Sequence, residues 1–466
     1  MDKKVYIVHC IDTEGPLFES TEATFERLKE IFGFDIEPSN ENILKIQNQE
    51  IDFNGKEGLI ADAFANKRIS TLGTWNEIDD VLDIIMDDKF RKRIPDSNGN
   101  GWVFNWFCLD HVGFKGKNPR RRDAGYGNIY EHYYSVLKAN NSLDKDLLQF
   151  HYHPLPFNGH FNYCGTAYVN SNNIFEILAH RIIDNEMFPA SYRAGMEAER
   201  PDSHWFLEQW IPFDYSNDSY IKANEDRQPD LRDGRYGDWR HASMKWKPYH
   251  PSHDDYQSEG NCHRMLTRCI SLDSRVAKLE LEDVRDAFKQ AMDGEDAIIA
   301  FANHDFRDMR DEVNRAMDLI GTVAKEYPEV KFEYSDAISA FVRTEKIELK
   351  EIDLIMTKEV NNLTDTCVIR IKSNDILFGT QPFFCFKTKE GNYYWDNLDY
   401  GEKKGTWSYV FDDKTFNWSN IDIIGLASNH YDGMTEIVKI DNKNNTMKII
   451  TKFGHRTIRS KLTNIK

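Results

Sequence analysis

The chain is poor in cysteine, in basic charge and in long apolar runs, and each shortage excludes something. Its seven cysteines (Cys10, Cys108, Cys164, Cys262, Cys269, Cys367 and Cys385) are odd in number and form no C-x-x-C pair. That excludes a disulfide framework or a zinc ribbon and reads as reduced thiols. No apolar run approaches the ~20 residues that a membrane-spanning helix needs. Met1-Asp-Lys-Lys leads straight into the first apolar run without a signal-peptide pattern, so a soluble, cytoplasmic protein is expected. Basic residues are outnumbered, with 59 Lys+Arg against 77 Asp+Glu and a net charge of −18. Nucleic-acid binding needs a basic footprint, so no nucleic-acid partner is expected, and adhesion to an anionic membrane is excluded on the same ground.

The imbalance is local. Residues 351–466 hold 16 Lys+Arg and 15 Asp+Glu, net +1, which leaves 43 and 62, net −19, for residues 1–350. Thirteen of the 15 histidines lie in 1–304, so a histidine-using site is expected in the first part. A length of 466 residues with 40% hydrophobic content suits two or three domains with real cores.

What is present begins with Val5-Tyr-Ile-Val-His-Cys-Ile-Asp-Thr-Glu-Gly-Pro16. A near-continuous apolar run of this length predicts a strand buried on both faces of a parallel sheet. Asp12 and Glu14 project the same way if the strand extends that far, at the edge where α/β proteins keep their chemistry. The alternative is a helix N-cap at Asp12 or Thr13 with Glu14 solvated. Leu147–Pro154 predicts another strand, and in it His151 and His153 share a side as an H-x-H pair that suits one metal ion. Two core histidines bonded to backbone are the competing reading. Further strands are expected at Trp102–Leu109, Phe188–Gly195, Phe213–Asp218, Ala297–Asp305 and Val330–Tyr334, with helical stripes between them, Ser171 capping one of the helices. This is the βα rhythm of a parallel sheet or barrel.

Several stretches leave two readings open. Asp110-His111 either borders the site or is a hydrogen-bonded structural pair. Arg120-Arg-Arg122 is either a solvated loop or a contact for a substrate phosphate. Residues 17–75 read as an insertion over the strand ends. Residues 220–270, with Tyr236, Trp239, Trp246, Tyr249 and Tyr256, read as a second insertion, either a sugar-holding surface or a packed lid. From about Ile347 alternating segments predict an antiparallel, sandwich-like β domain. Its Tyr393, Tyr394, Trp395, Trp407 and Trp418 are either a carbohydrate platform or core aromatics. The expected domains are therefore 1–346 and 347–466.

The order of these motifs resembles the polysaccharide deacetylase (NodB-homology) family, over roughly residues 3–343. The similarity lies in an acidic pair after the first strand, histidines before a proline, an R-x-G strand end, a D-x-S segment and a late strand ending in His. The divergent D-x-E members are similar in the first motif. The resemblance implies a distorted (β/α) barrel with a metal-dependent deacetylating site at the strand ends. It would make Asp12 the catalytic base, Glu14 the metal-ligand acid, His151 and His153 the ligand pair, Arg193 the orienter of the base and His304 the second catalytic histidine. The chain departs from the family pattern in D-T-E-G for T-F-D-D-G, in Gln149 where the second motif has its first histidine, and in Ala194 for a proline. One divalent ion is implied, with zinc suited to two neutral imidazoles and a carboxylate, and cobalt, nickel or iron accepting the same set. The expected substrate is an acylated sugar or glycan precursor, in surface polysaccharide synthesis. The alternatives are a glycan-binding protein on a degenerate scaffold and an amidase acting on a non-sugar substrate.

Overall fold

The computed structural model describes residues 3–113, 120–121, 123–156, 165, 167–220, 237–272, 278–374 and 377–465. Eight parallel strands form its first sheet: β1 (Lys4–Thr13), β2 (Phe104–Cys108), β3 (Leu147–Tyr152), β4 (Ser191–Ala194), β5 (Phe213–Asn217), β6 (Met265–Ser271), β7 (Ala297–His304) and β8 (Lys331–Tyr334). Their order is β2-β3-β4-β5-β6-β7-β1-β8, and β2 also pairs with β1, so β1 to β7 close a seven-stranded barrel. β1 is forked: Lys4–Ile7 pair with β8, His9–Thr13 pair with β2, and Val5–Asp12 pair with β7. A strand with neighbours on both edges and helices outside has no polar face, which is why its sequence is apolar until Asp12.

Amphipathic helices cover the barrel, among them Trp75–Ile85, capped by Thr74, and Ala337–Thr344, capped by Asp336. Ser171 does not cap the helix Asn173–Ile183 as its position suggests. Its hydroxyl instead accepts from the backbone N–H of Leu155, 3.0 Å away, and ties down the chain after β3. The stretch 220–270 is also not one insertion, because its end is the barrel strand β6. That strand is hard to see in sequence because buried polar residues interrupt its apolar run: Arg264, just before it, and Thr267 and Arg268 within it are all buried. Arg264 pairs with Glu199 at 2.9 Å and with Asp214, while Arg268 lies over the Trp246 ring.

Residues 354–464 form two antiparallel sheets from β9 (Leu354–Asn361), β10 (Thr366–Ser373), β11 (Phe383–Thr388), β12 (Tyr393–Asp396), β13 (Asp399–Tyr400), β14 (Thr406–Phe411), β15 (Ile421–Asn429), β16 (Met434–Asp441), β17 (Thr446–Phe453) and β18 (Arg456–Asn464). One sheet runs β13-β14-β10-β9 and the other β12-β11-β15-β16-β17-β18. They face each other across Leu354, Ile369, Phe411, Phe384, Ile424 and Val438. The far side of the larger sheet, with Phe383, Ala427 and Ile437, packs on barrel residues Ile182, Phe188 and Trp210. Asn429 donates across this seam to the carbonyls of Pro189 and Trp210, and His455 accepts from the N–H of Leu148. These contacts lie at the N-terminal approaches of β3 and β4, the end of the barrel away from Asp12.

Of the two readings for the aromatics of this region, packed aromatics fit most of the five and a single carbohydrate platform does not. Trp407 is in the sandwich core, Tyr394 packs against Phe386 and Phe416, and Trp395 stacks on Phe175 in the seam. Tyr393 donates to Asp184 and stacks on His180. Trp418 packs at the edge of the sandwich core and also lines an open depression.

Candidate active site and metal centre

Every residue assigned to the site from sequence lies at the C-terminal edge of the barrel. Asp12 is opposite His304 in the β1–β7 register, and His151 is opposite Arg193 in β3–β4. Arg193, fully buried, grips Asp12 with two bonds: Nε to Oδ1 at 2.6 Å and Nη2 to Oδ2 at 3.0 Å. A forked pair of this kind fixes both the position and the plane of the carboxylate. Burial opposes ionisation of Asp12, but Arg193, with His151 adding to it, outweighs that and holds the carboxyl far below the ordinary range. Asp12 lies within β1 with both oxygens on Arg193, so it is not the helix cap of the alternative reading.

Glu14, His151 and His153 form a three-atom cluster beside it. The His151 and His153 Nε2 atoms are 3.0 Å apart, and Glu14 Oε1 lies 3.8 Å from the first and 3.4 Å from the second. Ligand atoms around a tetrahedral ion with bonds of ~2.0–2.1 Å sit roughly 3.3 Å apart, so the spacing fits one. The tautomer fits as well. Nδ1 of His151 lies 2.9 Å from the carbonyl oxygen of Arg193, which only accepts, so Nδ1 carries the proton and Nε2 offers its lone pair to the cluster. Burial lowers the pKa of both imidazoles and keeps them neutral, as ligation requires. His153 lies one residue beyond β3, not within it, and its ring rests on Gly195, where a Cβ would come within 2.4 Å. The glycine of the R-x-G segment makes room for a ligand.

The loop that carries Glu14 is held by groups whose sequence gave little sign of it. Asp305 accepts from the N–H groups of Glu14 (2.8 Å) and Gly15 (2.9 Å) and from the Tyr133 hydroxyl (2.9 Å). Gly15 has φ +69°, a conformation that side-chain-bearing residues rarely adopt. His111 donates from Nε2 to the Glu14 carbonyl at 2.9 Å, so it borders the site. Its neighbour Asp110 is structural, accepting from Gly127 and Arg181. The two described members of the arginine cluster form ion pairs: Arg120 with Glu19 at 2.7 Å and Arg121 with Glu14 Oε2. Arg122 lies outside the described residues.

His304 is the most open member of the set, its side chain 31% exposed, with Nε2 4.0 Å from Asp12 Oδ2 and its ring against Phe306. Glu197 was not legible in the sequence. It lies 3.3 Å from Arg193 Nη2, so one guanidinium serves two carboxylates. Burial, with Asp218 nearby adding to it, pushes Glu197 up to about 7 against the opposing pull of Arg193. Met196 and Glu197 both have positive φ (56° and 47°), a strained pair that cost stability and occur mostly at functional sites. The fold holds them: Trp239 donates to the Glu197 carbonyl and Gly237 to that of Met196. Trp239 and Tyr256 belong to a small buried core with Tyr249, so these aromatics of the second insertion are a packed lid, while Tyr236 lies outside the described residues.

A second cluster, His204, His253 and Cys262, also brings three ligand types together. Here the electronics oppose a metal. Arg264 donates from Nη2 to His204 Nδ1 at 2.7 Å, so the neutral ring carries its proton on Nε2, the atom that faces Cys262 at 3.6 Å. Burial pushes the Cys262 thiol up to about 11, away from the thiolate a metal needs.

Among the described residues no helix is long and apolar enough to cross a membrane. Comparison with known proteins returns no matching family model, and no curated protein or solved structure matches the chain.

Proposed function

We propose that the protein is a metal-dependent amide hydrolase that removes an N-acetyl or related acyl group from a sugar or glycan precursor. The carrying observation is the convergence of Glu14 Oε1 and two imidazole Nε2 atoms within 3.8 Å of one another, beside an Arg-clamped, ionised Asp12. A divalent ion held by Glu14, His151 and His153 supplies Lewis acidity at the acyl carbonyl and makes water a competent nucleophile near neutral pH. The remaining steps fall to the chain itself. Asp12 accepts the proton of the attacking water, and Arg193 keeps that carboxylate ionised and aimed. His304, on the adjacent strand and open on one side, donates a proton to the departing amine. Zinc is the favoured metal from the donor set, and cobalt, nickel and iron accept it too. The sugar substrate rests on the motif resemblance, and the position of the site at the C-terminal rim of the barrel is where such folds carry their chemistry.

The test is reconstitution with zinc, followed by metal analysis and measurement of acetate released from N-acetylated chito-oligosaccharides and from a small N-acetyl amine. Release from the sugar that disappears on chelation and returns with metal is the expected result. Stoichiometric metal without release from either compound would leave a binding protein, and release from the amine alone would make the substrate a non-sugar amide.

A further inference from the structure

The depression lined by Trp418 lies at one end of the sandwich, far along the chain from every residue of the barrel site. It has a volume of about 600 Å³, within the ~300–1,000 Å³ typical of small-ligand sites. Its walls come from both sheets: Lys358 on the outer strand β9, Ile421 and Asp422 at the start of β15, and Asn442, Lys443 and Asn445 on the β16–β17 turn. The short 3₁₀ turn Trp418–Asn420 and Lys389 close the remaining side.

Two properties of this lining point to a ligand. The first is an excess of positive charge. Three lysines face one carboxylate of the lining, Asp422, and among the described residues only Lys443 has a further carboxylate, Asp441, acting on it from beside the depression. Lys358 is partly buried, and burial lowers its pKa, yet its ammonium rests only on neutral groups: the amide oxygens of Asn445 (2.9 Å) and Asn442 (3.3 Å) and the Trp418 ring 5.5 Å away. An ammonium at the rim of a depression, held only by neutral groups, leaves a place for an anion to complete it. The second is the indole wall of Trp418, an apolar surface for a sugar ring. The amides of Asn442 and Asn445 and the Ser419 hydroxyl beside it are spent on Lys358, on the carbonyls of Ile421 and Ile465 and on Asp365, so the lysines are the groups that meet an anion.

We infer that this depression is a second saccharide site, which takes an acidic sugar unit of an extended glycan. The pyranose lies against Trp418, and its carboxylate or sulfate sits among Lys358, Lys389 and Lys443. Nucleic acid would also offer rings and anions, but the charge balance favours sugar. The first 350 residues carry −19, and they repel the dense, continuous charge of a nucleic-acid backbone more than one anion on every second sugar. No histidine or cysteine is among the lining residues, and the Ser419 hydroxyl is spent on Asp365, so the inferred role is binding and not reaction.

The experiment uses the full-length protein in affinity electrophoresis and calorimetry. The probes are hyaluronan oligosaccharides (carboxylate only), carrageenan oligosaccharides (sulfate only), neutral dextran and a thymidine dodecamer. Binding to one or both acidic sugars is expected, weakening with salt and lost at least ~10-fold in Trp418→Ala and in Lys358→Met, with dextran unbound. Lys389→Ala plus Lys443→Ala, both exposed, gives the same answer should either of the first variants fail to fold. Absence of binding to both acidic sugars, equal binding by the variants, or tighter binding of the dodecamer overturns the inference. Metal content and hydrolysis are read on the same samples, and their loss would count against the barrel site alone.

Discussion

Two histidine clusters in one chain have nearly the same parts and opposite preparation. Around His151 the supporting partner is a carbonyl oxygen, which can only accept, and so the outward nitrogen is left with a lone pair. Around His204 the partner is the Arg264 guanidinium, which can only donate, and so the outward nitrogen keeps its proton. The third member follows suit: Glu14 is a carboxylate gripped by Arg121, whereas Cys262 is a thiol held neutral by burial. Ligand type and spacing do not make a metal site. The group behind the ligand decides.

The comparison breaks most visibly in metal content. About one divalent ion per chain is expected in the wild type, almost none in His151→Ala plus His153→Ala, and an unchanged amount in His204→Ala plus Cys262→Ser, all by elemental analysis after reconstitution. Equal content in the first pair of proteins, or a drop in the second, would reverse the assignment.

Turnover separates the clusters next. Asp12→Asn is expected to keep fold and metal while losing ~10²–10⁴-fold in rate, the usual contribution of a general base, and His304→Ala to lose a similar factor. His204→Ala leaves rate per folded molecule near wild type. A His304→Ala protein with full turnover and a lowered melting point would make His304 structural.

Stability sharpens the contrast from the other side. Arg264 is wholly buried between Glu199, whose pKa burial pushes well up, and Asp214, so Arg264→Leu removes the cation from this buried pair and is expected to cost ~3–5 kcal/mol in chemical denaturation. A loss below ~1 kcal/mol would mean that those acids are already neutral in the native state.

How far could the sequence carry this? Asp12, His151, Arg193 and His304 each close an apolar run, so a strand end and a reactive residue are read in the same glance. Gln149 is legible too once the fold is known: its side-chain oxygen accepts from the N–H groups of Ala190 and Ser191, a strand-joining task in place of ligation. The supporting groups are different. Arg121, Asp305 and Glu197 act through contacts made 107, 291 and four residues away, and nothing periodic marks them. β6 is hidden because its buried polar side chains imitate a loop, and β18 because it is an outer strand with most of its side chains exposed. A pattern reader sees burial only when apolar residues provide it.

The smallest expected effect concerns Glu197. Its native pKa of about 7 lies above the ordinary carboxyl value of 4.5, so the folded state binds this proton more tightly than the unfolded one. That contribution is complete below pH ~4.5 and fades as pH rises through about 7. Glu197→Gln should therefore flatten the stability profile between those limits and gain roughly 1–3 kcal/mol over wild type at pH 8, discounted for the partial exposure of the side chain. Parallel profiles for the two proteins would show that Glu197 is ionised throughout.

The forked first strand also has a consequence for how the molecule is made. β1 leaves the ribosome roughly 290 residues before β7, the partner that runs along most of its length. At ~5–20 residues per second, the strand waits about 15–60 s for that partner. Only β2, which covers His9–Thr13, arrives earlier, and it leaves Val5–Val8 bare. For that interval the most apolar segment of the barrel has an open edge, the kind of edge that recruits other chains. Yield in a cell should therefore depend on temperature and on holdase chaperones more than the finished, closed barrel would suggest.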